Sequence, residues 1–187
     1  MTTLRGNSNM KTILFYLALT LMMITLTACG GGGGGGNDTA GLNTPVAKTT
    51  TTLKIRQTGS LPATKTISGA DFTITLPANV TPATTNGAVA TSVVSLTGTF
   101  ASSTLAPQVI YTAAAGSTPG TLRVILTSSE AAGLSLVGEV ATITLQLANG
   151  AVPTVSSFIV IGESVFDATL YAPIAGIDVI VADVTLQ

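Results

Sequence analysis

The stretch TLRVILTSSEAAGLSLVGEVATITLQL, residues 121–147, decides the fold class. Its first part alternates Leu122, Val124 and Leu126 with other residues, and a second alternating run covers residues 139–148. Successive side chains of a β-strand point to opposite faces, so each run predicts a strand with one apolar face. The Ser-, Ala- and Gly-containing segment between the two runs predicts a loop.

The same alternation recurs on both sides of this stretch, and no segment has a convincing helical pattern. The predicted strands lie at residues 51–57, 71–77, 88–96, 109–112, 121–129, 139–148, 155–162 and 177–186. Strands that each have one apolar face are satisfied by two sheets packed face to face. Several gaps between strands are too long for tight hairpins, which favours Greek-key or jelly-roll connections. We therefore predict an all-β, two-sheet β-sandwich with jelly-roll topology.

The N-terminal segment predicts export and lipidation. Residues 12–27 are uncharged and follow Lys11, but sixteen residues are short for a bilayer span and suit a signal-peptide core. Leu-Thr-Ala-Cys at residues 26–29 resembles a bacterial lipobox, which implies cleavage between Ala28 and Cys29 and lipid on the cysteine, with palmitate among its acyl chains. A transmembrane anchor, or a secreted protein cut elsewhere, is the alternative. Met10 is as good a start as Met1.

Residues 29–52 predict a flexible tether between the lipidated cysteine and the sandwich. Seven glycines follow Cys29, and a low-complexity Thr-rich segment comes next. Such a chain cannot repay its ordering entropy, and twenty flexible residues reach roughly 25 Å on average. Gly30 stands where enteric bacteria place Asp to retain a lipoprotein in the inner membrane. The predicted location is therefore the cell envelope, at the outer membrane, on either its periplasmic side or its outer side.

Composition excludes most chemistry. Histidine is absent and Cys29 is assigned to lipid, so Ser–His and Cys–His nucleophiles are excluded. The carboxylates are scattered, and a calcium site built from Glu163, Asp167 and Asp178 lacks the usual spacing of acidic residues. Removal of residues 1–28 leaves five basic residues against eight acidic ones, which argues against nucleic acid. We expect no enzyme activity, no metal and no cofactor.

The order of the predicted elements resembles the cohesin domain, a jelly-roll module. The likeness rests on ISGADFTITLPANVTP (67–82), on residues 121–147, and on VFDATLYAPIAGIDVIVADVTLQ (165–187). It implies that residues 53–187 form a cohesin-like sandwich that receives a partner, such as a helical dockerin, on one sheet face. Calcium in such pairs belongs to the dockerin. The wider superfamily also contains carbohydrate-binding modules, and fold alone does not decide between them.

Three functions follow as expectations. The leading one is a membrane-anchored, non-enzymatic module for protein–protein recognition, with a dockerin-like or other envelope partner. Polysaccharide binding is the alternative, with Tyr111 and Tyr171 as the candidate contacts because tyrosine offers a flat ring with a polar tip. A structural envelope lipoprotein without a discrete ligand is the third. The dockerin-like partner would suggest cellulosome assembly, but a single lipid-anchored module differs from the usual multi-module scaffold.

Overall fold

The computed structural model describes residues 48–187. The predicted signal peptide, its cleavage site at Ala28 and Cys29, and most of the predicted tether lie outside the described residues. The described part contains eleven strands, three short 3-10 turns and no α-helix. The strands are β1 (Thr50–Gly59), β2 (Ile67–Leu76), β3 (Val80–Pro82), β4 (Thr84–Thr85), β5 (Ala88–Val89), β6 (Val94–Leu96), β7 (Gln108–Thr112), β8 (Gly120–Thr127), β9 (Glu139–Leu147), β10 (Ile159–Asp167) and β11 (Ile177–Leu186).

Two antiparallel sheets account for nine of these strands. The four-stranded sheet has the order β10-β2-β8-β7. The five-stranded sheet has the order β11-β1-β9-β3, and β6 also pairs with β9. Because β3 pairs with residues 145–147 of β9 and β6 with residues 141–143, these two short strands follow one another along one edge. Strands β4 and β5 form a separate small hairpin between them.

The inner sides of both sheets form one hydrophobic core. From the four-stranded sheet, Phe72, Ile74 and Val124 are fully buried, and from the five-stranded sheet Leu53 and Ile143 are fully buried. All five belong to the same buried cluster. Alternate residues of each strand face this core, as period-two patterning requires. The predicted all-β sandwich is confirmed, and its jelly-roll topology stays a prediction.

The register of the strands gives the sandwich two distinct ends. At the terminal end, the backbone N–H of Thr49 donates to the carbonyl of Gln187 at 2.8 Å, so the chain enters and leaves together. The terminal end also carries the loops at residues 77–79, 113–119 and 148–158. The loop end carries the connections at residues 60–66, 97–107, 128–138 and 168–176.

Two predicted strands are broken or displaced in the structure, and β2 starts at Ile67, ahead of the strand predicted at residues 71–77. The strand predicted at residues 88–96 is broken into β5, a 3-10 turn at Thr91–Val93 and β6. The strand predicted at residues 155–162 begins later, as β10, because a 3-10 turn occupies Val155–Ser157. There the Thr154 and Ser157 side chains form a capping box with each other's backbone N–H groups, which stabilises the turn over an extended chain.

The alternation predicted for β9 also fails at one point. Sequence periodicity places Val140 on the outer side with Thr142, yet Val140 and Ala141 are both fully buried. The β1–β9 register shifts between Ile55 and Arg56, which marks a β-bulge. A bulge places two residues of one strand opposite one of its partner, so both side chains turn toward the core.

Candidate interaction face

The outer side of the four-stranded sheet, here called the front face, is a broad surface not covered by any other described strand or helix. Its side chains are Asp71, Thr73 and Thr75 from β2, Gln108, Ile110 and Thr112 from β7, Thr121, Arg123 and Ile125 from β8, and Ile159 and Ile161 from β10. The pairing places them in rows across the strands. One row runs Ile161, Thr73, Arg123, Ile110, and the next runs Ile159, Thr75, Thr121, Thr112.

Three isoleucines of the front face are unusually exposed. Ile110, Ile159 and Ile161 have exposed fractions of 53%, 58% and 47%. Ile159 and Ile161 lie two residues apart on β10, and Ile110 lies on β7 at the opposite edge of the sheet. Thr73 and Arg123 stand between Ile161 and Ile110, and three threonines continue the row of Ile159. Exposed apolar side chains set among polar ones occur in protein interaction sites.

A bidentate ion pair occupies the centre of the front face. Arg123 Nε donates to Asp71 Oδ1 at 2.9 Å, and its Nη2 donates to Asp71 Oδ2. The hydrogen bond and the charge of Asp71 raise the pKa of Arg123. Because each charge is engaged by the other, the two side chains hold one geometry, and a partner meets a fixed dipole here.

The outer side of the five-stranded sheet, here called the back face, has a different chemistry. It presents Thr52, Lys54, Arg56, Ser95, Thr142, Thr144, Gln146, Asp178, Ile180, Asp183 and Thr185. Lys54 lies across from Asp183, and Arg56 lies across from Glu139. Ile180 is its one large exposed hydrophobic residue, at 40%. The back face therefore resembles an ordinary solvated surface.

The end of β10 is anchored at Asp167, which is buried although it is charged. Lys65 Nζ, from the β1–β2 loop, lies 2.8 Å from its Oδ2. Its Oδ1 accepts the backbone N–H groups of Thr169 at 2.6 Å and Leu170 at 3.0 Å. The Lys65 hydrogen bond and these backbone donors hold the pKa of Asp167 below its ordinary value, against the effect of burial. This cluster ties the loop end to the strand that carries Ile159 and Ile161.

The structure places the two candidate tyrosines at opposite ends of the sandwich. Tyr171 lies in the β10–β11 loop at the loop end, is 76% exposed, and has a positive φ of 52°. Tyr111 lies on β7 near the terminal end and is half-buried. It lines a cleft of about 300 Å³ together with Asn79, Thr81 and Thr118. The two rings therefore cannot form one binding platform.

The acidic residues considered for calcium are also separated. Asp167 is engaged by Lys65, and Asp178 faces Thr58 on the back face. Within residues 48–187, no three His, Cys, Asp or Glu side chains are grouped in a way that could hold a metal ion. The same part of the chain has no helix long and apolar enough to cross a bilayer.

The chain matches no family model, no curated protein and no solved structure. The cohesin resemblance therefore stays a prediction. Sequence reasoning missed the front face, because the strand predicted at residues 155–162 was given no buried and exposed side. The available signal was the run FIVIG at residues 158–162, where three β-branched apolar residues stand together and cannot all face inward in one strand.

Proposed function

We propose that this protein is a membrane-anchored, non-enzymatic binding module that recognises a protein partner through its front face. The observation that carries the proposal is the exposure of Ile110, Ile159 and Ile161 on one uncovered sheet face. Covering these isoleucines with a partner would remove apolar surface from water, which is worth about 25 cal/mol per Å². The back face offers no comparable set.

The front face suits a protein partner of moderate size. Three isoleucines supply apolar anchors, and the threonine hydroxyls between them are donors and acceptors that need little reorganisation. The fixed pair of Asp71 and Arg123 adds a polar point that penalises a wrong partner more than it strengthens the right one. A helix or a flat surface with small apolar side chains fits this arrangement. The expected cohesin likeness supports the same mode, in which one sheet face receives a helical module.

Anchoring through Cys29 supports the same role. The described chain starts at the terminal end, so the predicted tether from Cys29 would join the sandwich at that end. The tether's mean reach of roughly 25 Å is comparable with the length of a ten-residue strand, about 33 Å. The module can therefore search the space near the membrane for its partner.

The decisive experiment compares matched substitutions on the two faces. Ile161→Asp on the front face and Ile180→Asp on the back face introduce the same charge at similar exposure. The full-length protein and both variants are used to capture partners from the envelope fraction of the producing cell. We expect Ile161→Asp to weaken capture of a specific protein by about 30-fold or more, because a charge replaces one of the three apolar anchors, and Ile180→Asp to leave it unchanged.

Equal capture by both variants would contradict the assignment to the front face. A matched melting temperature for the two variants shows that the charge, not unfolding, causes the loss. Capture of no specific protein by the unmodified chain would contradict the proposed function itself.

Anchoring has its own test. Labelled fatty acid should enter the native protein and be absent from the Cys29→Ala variant. Mass spectrometry should find the mature chain beginning at a modified residue 29. An unmodified residue 29, or a different N-terminus, would contradict the anchor.

Polysaccharide binding is the second candidate, favoured by the cleft beside Tyr111. One ring lies on a wall with the Asn79 amide and the Thr81 and Thr118 hydroxyls, which together match the mixed character of a sugar. Tyr111→Ala should weaken retention on an insoluble polysaccharide, whereas Tyr171→Ala, at the opposite end, serves as the control. Equal retention of both variants would count against this candidate.

A further inference from the structure

The sandwich has four lateral strand edges, and three of them are protected against pairing with another chain. Unprotected edges expose unpaired backbone N–H and C=O groups, which natural proteins usually block with charges, proline, bulges or covering loops. The edge strand β11 carries exposed Asp178 and Asp183 and a register shift against β1. The edge formed by β3 and β6 is short, is interrupted by the β4–β5 hairpin, and contains Pro82.

The edge at β10 is protected twice. Its register with β2 shifts between Ile161 and Ser164, which indicates a bulge at Gly162 and Glu163. Beyond the bulge, the β10–β11 loop covers the edge, since the Ile174 N–H donates to the Val165 carbonyl at 2.7 Å. Little of the strand remains open to a new neighbour.

The fourth edge, β7, has no charge, proline or bulge, although the β4–β5 hairpin lies beside it. Its sequence QVIYT contains neither a charge nor a proline. Its pairing with β8 is continuous over all five residues, without a bulge. The β4–β5 hairpin lies nearby but forms no ladder with β7, and no residue between 48 and 187 other than those of β8 hydrogen-bonds to the β7 backbone.

The sequence of β7 is also complementary to itself. In an antiparallel pair centred on Ile110, that residue meets its own copy on the front face. Val109 then meets Tyr111 of the other copy on the inner side, where both side chains are half-buried. Gln108 meets Thr112, so a polar side chain faces a polar one. Cross-strand pairs of aromatic with β-branched residues are among the favourable ones, and no like charges are brought together.

We propose that two copies of this chain pair through β7, antiparallel about a two-fold axis at Ile110. The two four-stranded sheets then form one continuous eight-stranded sheet, and the two front faces become one surface. The pairing is isologous and closes on itself, so it gives a dimer and no filament. The half-buried Val109 and Tyr111 are covered, and the open backbone groups of β7 find partners.

The pairing places the two terminal ends at opposite ends of the dimer. Both chains can still reach one membrane if the strands lie along its surface, because about twenty tether residues extend roughly 70 Å at most. Dimer formation needs no other protein, so a monomeric chain would contradict the dimer without contradicting the proposed function.

The test uses the full-length chain in a nonionic detergent, with sedimentation velocity to measure the protein mass per particle. The unmodified chain should form a dimer whose fraction rises with concentration. Ile110→Lys should reduce it to a monomer because the two-fold axis places lysine against lysine, and Ile110→Asp should do the same. Mixing the two variants should restore the dimer, since lysine then faces aspartate. Ile180→Lys, on the β11 edge, should leave the dimer intact.

A cysteine pair tests the axis directly. In a Cys29→Ser background, Ile110→Cys should form an intermolecular disulfide under mild oxidation, because directly opposite residues lie within disulfide reach. Ser95→Cys, on the edge of the other sheet, should not. A monomeric unmodified chain, or a Lys/Asp mixture that stays monomeric, would overturn the proposal. A dimer that survives both Ile110 substitutions would place the contact elsewhere and overturn it equally.

Discussion

The two outer faces of the sandwich follow the same pattern and present different surfaces. Both place threonines on alternate positions of neighbouring strands. The back face adds Lys54, Arg56 and Asp183, which are charged and solvated. The front face instead adds exposed isoleucines and one ion pair whose charges are bound to each other. The difference shows that alternation fixes the inner residues of a strand and leaves its outer residues free.

The inner sides of the two sheets, by contrast, are equivalent. Ile74 in the four-stranded sheet and Ile143 in the five-stranded sheet are both fully buried in the same cluster. The core-facing side chains of both sheets must pack densely against apolar neighbours. The two sheets therefore contribute alike to the core and differ in their outer residues.

The largest expected effect is on the free energy of unfolding, and it tests whether the two sheets contribute equally to the core. Ile74→Ala and Ile143→Ala should each lower the free energy of unfolding by about 2–5 kcal/mol, because each removes buried methyl groups and leaves a cavity. Urea denaturation monitored by circular dichroism measures both. A loss at one site but not at the other would show that the two sheets do not share one cooperative core.

The next effect concerns the attachment of β10, the strand that carries two front-face isoleucines. The pKa of Asp167 is lowered in the folded state, so its contribution to stability is present above about pH 4 and is lost as the pH falls through the lowered pKa. Asp167→Asn removes the ion pair with Lys65 at every pH. We expect a lower melting temperature than that of the unmodified chain at pH 7, and a difference that shrinks as the pH falls below about 4.

Scanning calorimetry across this range gives both curves. Asp178→Asn, which changes an exposed carboxylate of the back face, is the control and should shift the melting temperature little at any pH. A constant difference between the Asp167→Asn protein and the unmodified chain from pH 3 to pH 7 would contradict the assignment.

A smaller effect of opposite sign is expected inside the five-stranded sheet. Gln57 faces the core, is 1% exposed, and has no hydrogen-bond partner for its amide among the described residues. A buried amide without partners costs on the order of 1–3 kcal/mol. Gln57→Met, which keeps the volume, should therefore raise the free energy of unfolding by about 1–2 kcal/mol. A destabilised Gln57→Met protein would mean that this amide has a partner in solution.

The smallest effect lies at the front-face ion pair. Arg123 is half-exposed, and exposed ion pairs contribute little to folding because water solvates both charges. Arg123→Gln should leave the melting temperature unchanged within measurement error, as should Lys54→Gln on the back face. A marked loss in Arg123→Gln alone would show that the pair stabilises the sheet and does not serve recognition only.

Much of the fold could be predicted from periodicity. Strands β1, β2, β8, β9 and β11 lie where the alternation placed them, since each is long and has a clear apolar face. The failures share a cause. The break at residues 90–93 and the start of β10 depend on turn geometry and on the Thr154–Ser157 cap, and the position of Val140 depends on a bulge that its partner strand imposes.

The candidate site was less accessible to sequence reasoning. Tyr111 and Tyr171 were chosen by residue type, and only their placement at opposite ends shows that they cannot share one site. The pairing of Asp71 with Arg123, fifty-two positions apart, required the register of β2 against β8. The lipobox predicted at residues 26–29 is a linear segment that needs no fold, and its lipidation stays a prediction.

The sequence alone determined the class of the fold, the apolar side of its longer strands, and the predicted anchor, because each depends on neighbours close in the chain. The tertiary structure decided which strands share a sheet, that Ile110, Ile159 and Ile161 lie on one face, and that β7 is an open edge. Those properties depend on pairings between distant segments, and hydrophobic alternation fixes which side of a strand is buried without fixing which strand lies beside it.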